Sequence, residues 1–241
     1  MSAILTALYS AIAYVAFLAT FVYAIGFVEG VGVPKTIDSG SAGNVAISVL
    51  IDAVLLGVFA LQHSVMARPA FKRLLTRIVP PAAERTTFVL LATAALALIC
   101  WQWRPVPQLV WSVDGTLATA IIRAVSWGGW AMLLISTFLI SHFELFGLAQ
   151  GFARLLGRSS VNPSFATPFL YRWLRHPIYA GFILAFWAAP HMSLGHLVFA
   201  VLTTGYIFVG IWFEERDLIA EFGERYSQYR RDVGMLLPRF R

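Results

Sequence analysis

Long apolar runs separated by short polar segments dominate the pattern of hydrophobic and polar positions along this chain. Four of these runs cover residues 4–28, 45–61, 86–103 and 117–140, close to the roughly 20 residues that a helix needs to cross a bilayer core. A fifth apolar tract, residues 178–213, is too long for one crossing. The pattern therefore predicts an all-α, polytopic integral membrane helical bundle with five to six membrane-embedded helices and a C-terminal helical tail.

The fifth tract is predicted to fold back on itself as a hairpin. Its middle, "AAPHMSLG" at residues 188–195, contains a proline and a glycine, which commonly end helices and reverse the chain. The first arm, residues 177–189, spans only about 20 Å at the α-helical rise, whereas the second, residues 194–213, can cross the membrane fully. The free ends of both arms then lie at one membrane face. The residues brought together there are Arg175, His176, Glu214 and Glu215.

Composition and charge agree with a membrane protein and indicate its orientation. The 241 residues are 59% hydrophobic and 12% charged, with a formal net charge of +6. Most arginines and lysines lie in residues 68–85, 154–175 and 216–241, which the positive-inside rule places in the cytoplasm together with both termini. Because this charge follows topology, and the sequence has neither a Gly-rich phosphate loop nor a basic-aromatic module, we expect a lipid bilayer as partner and no nucleic acid.

Neither a disulfide nor a metal site is expected. Cys100 is the only cysteine, so an intrachain disulfide and a cysteine cluster for a metal are both excluded. The His, Asp and Glu residues show no spacing typical of a metal site.

The first apolar run lacks a basic leader and a small-residue cleavage site, so we expect it to be retained. One membrane-embedded domain is predicted, with four helices in residues 1–146 and a cofactor-binding region in residues 168–241.

The motif "RHPIYAG", residues 175–181, has the chemistry of a ligand site at the start of a helix. A residue before proline avoids the helical conformation, so His176 should end one segment. Pro177 should begin the next helix, whose first N–H groups are free to meet an anion. Tyr179 offers an aromatic face, and Gly181 permits a close approach of the backbone.

Two carboxylates are predicted to face this motif. Glu214 and Glu215 suit a ligand with hydroxyl groups or an ammonium group. S-adenosyl-L-methionine has such groups, since it is cationic at one point, carboxylated at another, and carries vicinal hydroxyls and an aromatic base. Alternatively, the same charges form only a salt-bridge lattice beside the membrane. The residue chemistry leaves both interpretations open.

The C-terminal motifs resemble the signature of a superfamily of membrane methyltransferases. "RHPIYAG", followed after the hydrophobic hairpin by "EERDLIAEFGERYSQYRRDV" and "LLP", is similar to the isoprenylcysteine carboxyl methyltransferases and the phospholipid methyltransferases in order, spacing and hydrophobic context. The similarity covers roughly the last seventy residues. It implies an S-adenosyl-L-methionine site in which the cofactor-binding residues are Arg175, His176, Tyr179, Gly181, Glu214, Glu215 and Tyr229.

Two earlier stretches narrow the resemblance to one branch of that superfamily. "LQHSVMARPAFKRLLTRIVPPAAERTTF" and "LISTFLISHFELFGLAQ" are similar to the bacterial methanethiol S-methyltransferases, which make dimethyl sulfide. This similarity implies methylation of a small thiol, methanethiol, by an enzyme of the bacterial inner membrane with its cofactor site on the cytoplasmic side. A denitrification-associated membrane family has a similar core. The alternatives are a methyltransferase for a larger lipid or isoprenylcysteine-like substrate and a non-catalytic accessory protein.

Methyl transfer to a thiol requires a thiolate, so some group must take the proton. The candidate bases lie at the cytoplasmic ends of predicted helices, namely His63 after the second helix and His142 and Glu144 after the fourth. Because His142 and Glu144 are two residues apart, they lie on nearly opposite faces of a continuous helix, and we expect only one to face the cofactor unless the helix breaks there. Asp52, inside the second helix, is about 16 Å along that helix from His63, so direct contact between them is not expected.

Overall fold

Helices make up nearly all the regular structure of this chain. The computed structural model describes residues 2–157 and 165–239, so Arg158 and Arg241 of the predicted basic regions lie outside the described residues. In chain order the elements are α1 (Ala3–Glu29), α2 (Val45–Ala67), α3 (Pro69–Leu75), α4 (Pro81–Gln102), β1 (Leu109–Ser112), α5 (Thr116–Ile140), α6 (His142–Leu145), α7 (Leu148–Leu155), a 3-10 helix (Phe169–Arg172), α8 (Pro177–Trp187), β2 (His191–Ser193), α9 (Leu194–Phe222) and α10 (Glu224–Asp232).

Five helices in the described ranges are long and apolar enough to cross a membrane, namely α1, α2, α4, α5 and α9. The apolar helix α8 has only 11 residues. Large apolar side chains such as Ile12 and Leu117 are exposed on the spanning helices, as expected for surfaces that face lipid tails. These features confirm the predicted all-α polytopic membrane bundle and the short first arm of its C-terminal hairpin.

The chain divides into two compact units. Unit 1 comprises residues 1–108, 141–162 and 194–196, and unit 2 comprises residues 109–140, 163–193 and 197–241. Unit 1 therefore holds α1 to α4, α6 and α7. Unit 2 holds α5, α8, α10, the two strands and most of α9. The prediction of a single membrane-embedded domain stays a prediction.

Small and hydroxyl-bearing residues bring the helices of unit 1 close together. Ser10 of α1 and Thr86 of α4 share a buried hydrogen bond of 2.8 Å. Thr86 also donates to the carbonyl oxygen of Gly147 at 3.2 Å. A Cβ atom on Gly151 of α7 would lie 2.1 Å from the hydroxyl oxygen of Ser10, so a larger side chain does not fit there. Such contacts are typical of helix packing in membranes, and here they fix α1 to α4 and α7.

In unit 2, two glycines let α5 and α8 touch backbone to backbone. A Cβ atom on Gly129 would lie 2.6 Å from the carbonyl oxygen of Gly181, and a Cβ atom on Gly181 would lie 2.6 Å from that of Gly129. Nearby, the hydroxyl of Ser126 donates to the carbonyl oxygen of Ala185 at 3.0 Å. The close backbone approach expected at Gly181 is therefore made to a neighbouring helix, and this contact sets the position of α8 against α5.

A short antiparallel sheet, which the sequence pattern did not predict, lies at the turn between α8 and α9. Strand β1 pairs with β2 so that Leu109 is opposite Ser193. The indole N–H of Trp111 donates to the carbonyl oxygen of Ala189 at 3.0 Å, which ties β1 to the end of the first arm. Strands of three and four residues are too short for an alternating pattern to stand out in the sequence.

Helix α9 continues past residue 213, where the apolar tract ends, to Phe222. The extra segment, "EERDLIAEF", consists mainly of Glu, Arg, Leu and Ala, which are strong helix formers. The helix ends before Gly223, whose φ of 57° suits glycine. Glu214 and Glu215 consequently lie within a helix, where adjacent side chains point about 100° apart.

Candidate functional site

The beginning of α8 is built as its sequence requires. His176 has φ −128° and ψ 63°, outside the helical region, and Pro177 occupies the first helical turn. The hairpin then brings the end of α9 to this point, since His176 Nε2 lies 3.1 Å from Glu215 Oε1. The Nε atom of Arg175 lies 2.8 Å from the same oxygen. The predicted meeting of residues 175–176 with residues 214–215 is therefore confirmed.

Glu215 lies at the centre of a buried ionic cluster. Only 5% of Glu215 and 7% of Arg175 are exposed. While Arg175 and His176 approach Oε1, the Nε atom of Arg230 in α10 lies 3.1 Å from Oε2. Both oxygens of the buried carboxylate therefore have partners, as a charge removed from water requires. Arg175, His176, Glu215 and Arg230 are called the Glu215 cluster below.

A second set of contacts ties the same segment to the end of α10. Arg175 Nη1 donates to the carbonyl oxygens of Arg230 at 3.0 Å and of Val233 at 2.5 Å. The backbone N–H of Arg175 donates to the carbonyl oxygen of Gly234 at 2.8 Å. The hydroxyl of Tyr229 donates to the carbonyl oxygen of Tyr171 at 2.5 Å. Burial raises the pKa of Tyr229 to about 12, so its phenol stays protonated and can donate this bond.

Glu214 differs from its neighbour because its side chain is 45% exposed. Its Oε2 atom lies 3.8 Å from His176 Nδ1. The hydroxyl of Tyr179 hydrogen-bonds to the Glu214 carboxylate, and the rings of His176 and Tyr179 are 5.6 Å apart. Glu214 thus presents an accessible carboxylate beside the phenol of Tyr179, which is partly buried, and the imidazole of His176, which is buried. This group can bind a ligand that carries hydroxyls or a positive charge.

His63, the first candidate base, lies in unit 1 between aromatic rings. Its ring stacks on Phe59 with a centroid distance of 5.3 Å and tilts against Phe88 at 4.8 Å. Its Nδ1 atom is buried and has no hydrogen-bond partner among the described residues. The guanidinium of Arg85 lies 4.9 Å from the Phe88 ring centroid. His63 therefore lies in an apolar, aromatic environment.

The sequence pattern predicted that His142 and Glu144 lie on a continuation of the fourth spanning helix, and this prediction was wrong. Helix α5 ends at Ile140, and Ser141 adopts a φ of 144°, which breaks the helix before α6 begins. His142 is buried, and its Nε2 atom lies 2.9 Å from the hydroxyl of Tyr14 in α1. Burial lowers the pKa of His142, so its imidazole is neutral at neutral pH. Glu144, two residues on, is exposed.

Sequence reasoning missed two residues of these groups, Tyr14 and Arg230. Tyr14 is one of three tyrosines within a long apolar helix, and Arg230 is one of several arginines in a charged tail. Neither stands out in the pattern, because each acquires its partner only when distant segments meet. The partner of Asp52 was also unexpected, since its Oδ1 atom accepts from the backbone N–H of Arg104 at 2.8 Å. Asp52 therefore satisfies a backbone donor just beyond the end of α4.

The described residues contain no group of three or more His, Cys, Asp or Glu that could hold a metal ion.

The candidate bases His63, His142 and Glu144 belong to unit 1. All the cofactor-binding residues expected from the C-terminal motifs belong to unit 2. Within unit 2, the structure brings together Arg175, His176, Tyr179, Glu214, Glu215 and Tyr229, whereas Gly181 contacts α5.

Comparison with known proteins adds independent findings. Residues 49–229 match the family described as NnrU protein. Methanethiol S-methyltransferase of Mycobacterium tuberculosis is 52% identical over 238 residues, which cover 99% of this chain and 98% of that protein. Methanethiol S-methyltransferase 1 of Bradyrhizobium diazoefficiens is 52% identical over 96% of this chain and 81% of its own length. Nurim of Xenopus laevis is 32% identical over 65% of this chain and 58% of its own length, and no solved structure matches.

Proposed function

Because the chain belongs to the NnrU protein family and is 52% identical to two methanethiol S-methyltransferases, we propose that it methylates methanethiol to dimethyl sulfide with S-adenosyl-L-methionine as donor. The protein is an integral membrane methyltransferase. We further propose that it lies in a bacterial inner membrane with both termini and the cofactor site in the cytoplasm. The basic residues of α3 and α10 support this orientation through the positive-inside rule.

The accessible carboxylate of Glu214 is the observation that carries the cofactor proposal. It stays half-exposed beside Tyr179 and His176, whereas the adjacent Glu215 is buried with its own cationic partners. A carboxylate can accept hydrogen bonds from hydroxyl or ammonium groups, and an aromatic face attracts a cation. These properties fit S-adenosyl-L-methionine, which has a sulfonium, an ammonium and two ribose hydroxyls.

In this proposal, different residues of the chain bind the methyl donor and accept the proton of the thiol. When bound, S-adenosyl-L-methionine supplies a methyl group attached to a positively charged sulfur. Glu214, Tyr179 and His176 bind and orient that molecule, so that the thiolate can attack in line with the bond that breaks. One of the candidate bases His63, His142 and Glu144 takes the proton of the thiol. We expect a membrane-embedded pocket to exclude water, which would favour the reaction of an anion with a cation.

A direct assay tests the proposal. The protein, purified in detergent, is incubated with methanethiol and S-adenosyl-L-methionine, and the headspace is analysed for dimethyl sulfide. We expect dimethyl sulfide to form only when the protein, methanethiol and the methyl donor are all present. The Glu214→Gln variant serves as the matched control, since it changes the proposed cofactor carboxylate and leaves the Glu215 cluster intact.

Parallel reactions with lipid and isoprenylcysteine acceptors separate this function from its rivals. Methylation of those acceptors without dimethyl sulfide would assign the protein to a larger, lipid-like substrate. No methylation of any acceptor, together with no affinity for S-adenosylhomocysteine in calorimetry, would indicate a non-catalytic accessory protein. The cofactor proposal fails if S-adenosylhomocysteine does not bind to the wild-type protein.

A further inference from the structure

The adjacent residues Glu214 and Glu215 lie in different environments, since Glu215 is buried and the side chain of Glu214 is 45% exposed. Every oxygen of Glu215 has a partner within the protein, because Arg175 and His176 approach Oε1 and Arg230 approaches Oε2. Glu214 remains accessible and lies 3.8 Å from the other nitrogen of the same histidine. His176 therefore joins the two carboxylates, with Nε2 facing Glu215 and Nδ1 facing Glu214.

Arg230 contacts the Glu215 cluster through both its side chain and its main chain. Its side chain, 52% exposed, reaches the buried carboxylate of Glu215, with Nε 3.1 Å from Oε2. Its main-chain carbonyl oxygen accepts a hydrogen bond from Arg175 Nη1 at 3.0 Å. Arg230 thus contacts both members of the shortest ion pair in the cluster, in which Arg175 Nε and Glu215 Oε1 are 2.8 Å apart. It joins α10 to the segment that precedes α8.

We propose that Arg230 is a positioning residue for the cofactor site: it fixes the carboxylate of Glu215, which fixes His176 and so presents Glu214 to the cofactor. This inference rests on the proposed function. Without the guanidinium, Oε2 of a buried carboxylate loses its partner, which is costly unless the carboxylate turns. A turn of that carboxylate disturbs its bond to His176, and the imidazole no longer faces Glu214 in a fixed orientation. Arg230 itself need not touch the cofactor.

The next residue provides a matched control. Arg231 is also in α10 and is 55% exposed in its side chain, but its ion-pair partner is Glu224, which is itself largely exposed. The substitutions Arg230→Met and Arg231→Met remove the same charge and hydrogen-bonding capacity from adjacent positions. Arg230→Lys restores a charge that can reach Glu215, although without the planar guanidinium.

The test measures the dissociation constant of S-adenosylhomocysteine by calorimetry, together with KM, kcat and the melting temperature. For Arg230→Met we expect the dissociation constant and the KM for the methyl donor to rise about 5- to 20-fold, corresponding to about 1–2 kcal/mol. At saturating donor, kcat should stay within about twofold of wild type. Arg230→Lys should recover most of the lost affinity, and Arg231→Met should bind like wild type.

Three outcomes overturn the inference. The first is Arg230→Met with a lower melting temperature and unchanged affinity, which would make Arg230 a merely structural residue. The second is an equal loss of affinity in Arg231→Met, which would attribute the effect to the general charge of α10. The third is wild-type protein without affinity for S-adenosylhomocysteine, which would remove the proposed cofactor as well. The first two leave the proposed function standing.

Discussion

The candidate functional side chains of the two units lie in contrasting environments. In unit 2, the Glu215 cluster consists of charged groups that satisfy one another at 2.8–3.1 Å in a buried place. In unit 1, the imidazoles of His63 and His142 lie among aromatic rings, and His142 has the hydroxyl of Tyr14 as hydrogen-bond partner. The ionic cluster of unit 2 fixes the positions of charged side chains, whereas burial in unit 1 favours the neutral form of the His142 imidazole.

This difference fits the two requirements of the proposed reaction. A cationic, carboxylated cofactor needs fixed charges, and unit 2 contains them. A thiol needs a group that can accept a proton, and an imidazole does so only when it is neutral. Burial lowers the pKa of His142, so it is neutral at the start of the reaction. Variants in the two units should therefore affect different measured quantities.

The largest expected effect is on turnover in unit 1. For the true base among His63, His142 and Glu144, substitution by glutamine should lower kcat by roughly 10²- to 10⁴-fold, the usual contribution of general base catalysis. The affinity for S-adenosylhomocysteine should be unchanged, since the charged cofactor groups are in unit 2. Dimethyl sulfide production and calorimetry measure the two quantities separately. If all three variants retain wild-type rates, the thiol loses its proton elsewhere.

Breaking the Glu215 cluster should affect stability and binding together. Arg175→Ala removes one partner from a buried ion pair, and such changes typically cost about 3–5 kcal/mol of folding free energy. Because the same change disturbs His176, we expect cofactor binding to be lost. Thermal unfolding and calorimetry in one detergent check both expectations. Arg231→Ala, at an exposed ion pair, is the control and should change stability by less than about 1 kcal/mol. Undiminished cofactor affinity in Arg175→Ala would contradict this account.

The smallest of these effects is expected at Glu214. Glu214→Gln removes the charge of an accessible carboxylate, so cofactor affinity should fall by about 1.5–3 kcal/mol, on the order of 10- to 100-fold. The melting temperature should change little, because the side chain is 45% exposed. Glu215→Gln, the adjacent and chemically identical change, should lower both affinity and melting temperature. Equal behaviour of the two variants would remove the distinction between a ligand-binding and a buried structural carboxylate.

Local signals predicted the parts of the site that depend on short-range chemistry. Pro177 forced the backbone of His176 out of the helical region, as expected for a residue before proline. Pro190 and Gly195 marked the reversal of a tract too long for one crossing, and that reversal brought His176 to Glu215. The sequence carries no local signal for the break at Ser141, since serine is not a residue that favours a φ of 144°.

The amino-acid sequence by itself determined the helical membrane class and the hairpin. It also determined that the basic residues 175–176 and the acidic residues 214–215 lie at the same end of that hairpin. These follow from apolar length and from proline and glycine chemistry, which act over a few residues. The tertiary structure decided that Glu215 is buried and Glu214 accessible, that Arg230 completes the ionic cluster, and that Gly181 contacts α5. The physical reason is that adjacent side chains on a helix point about 100° apart, so their environments depend on neighbours that are distant in the chain.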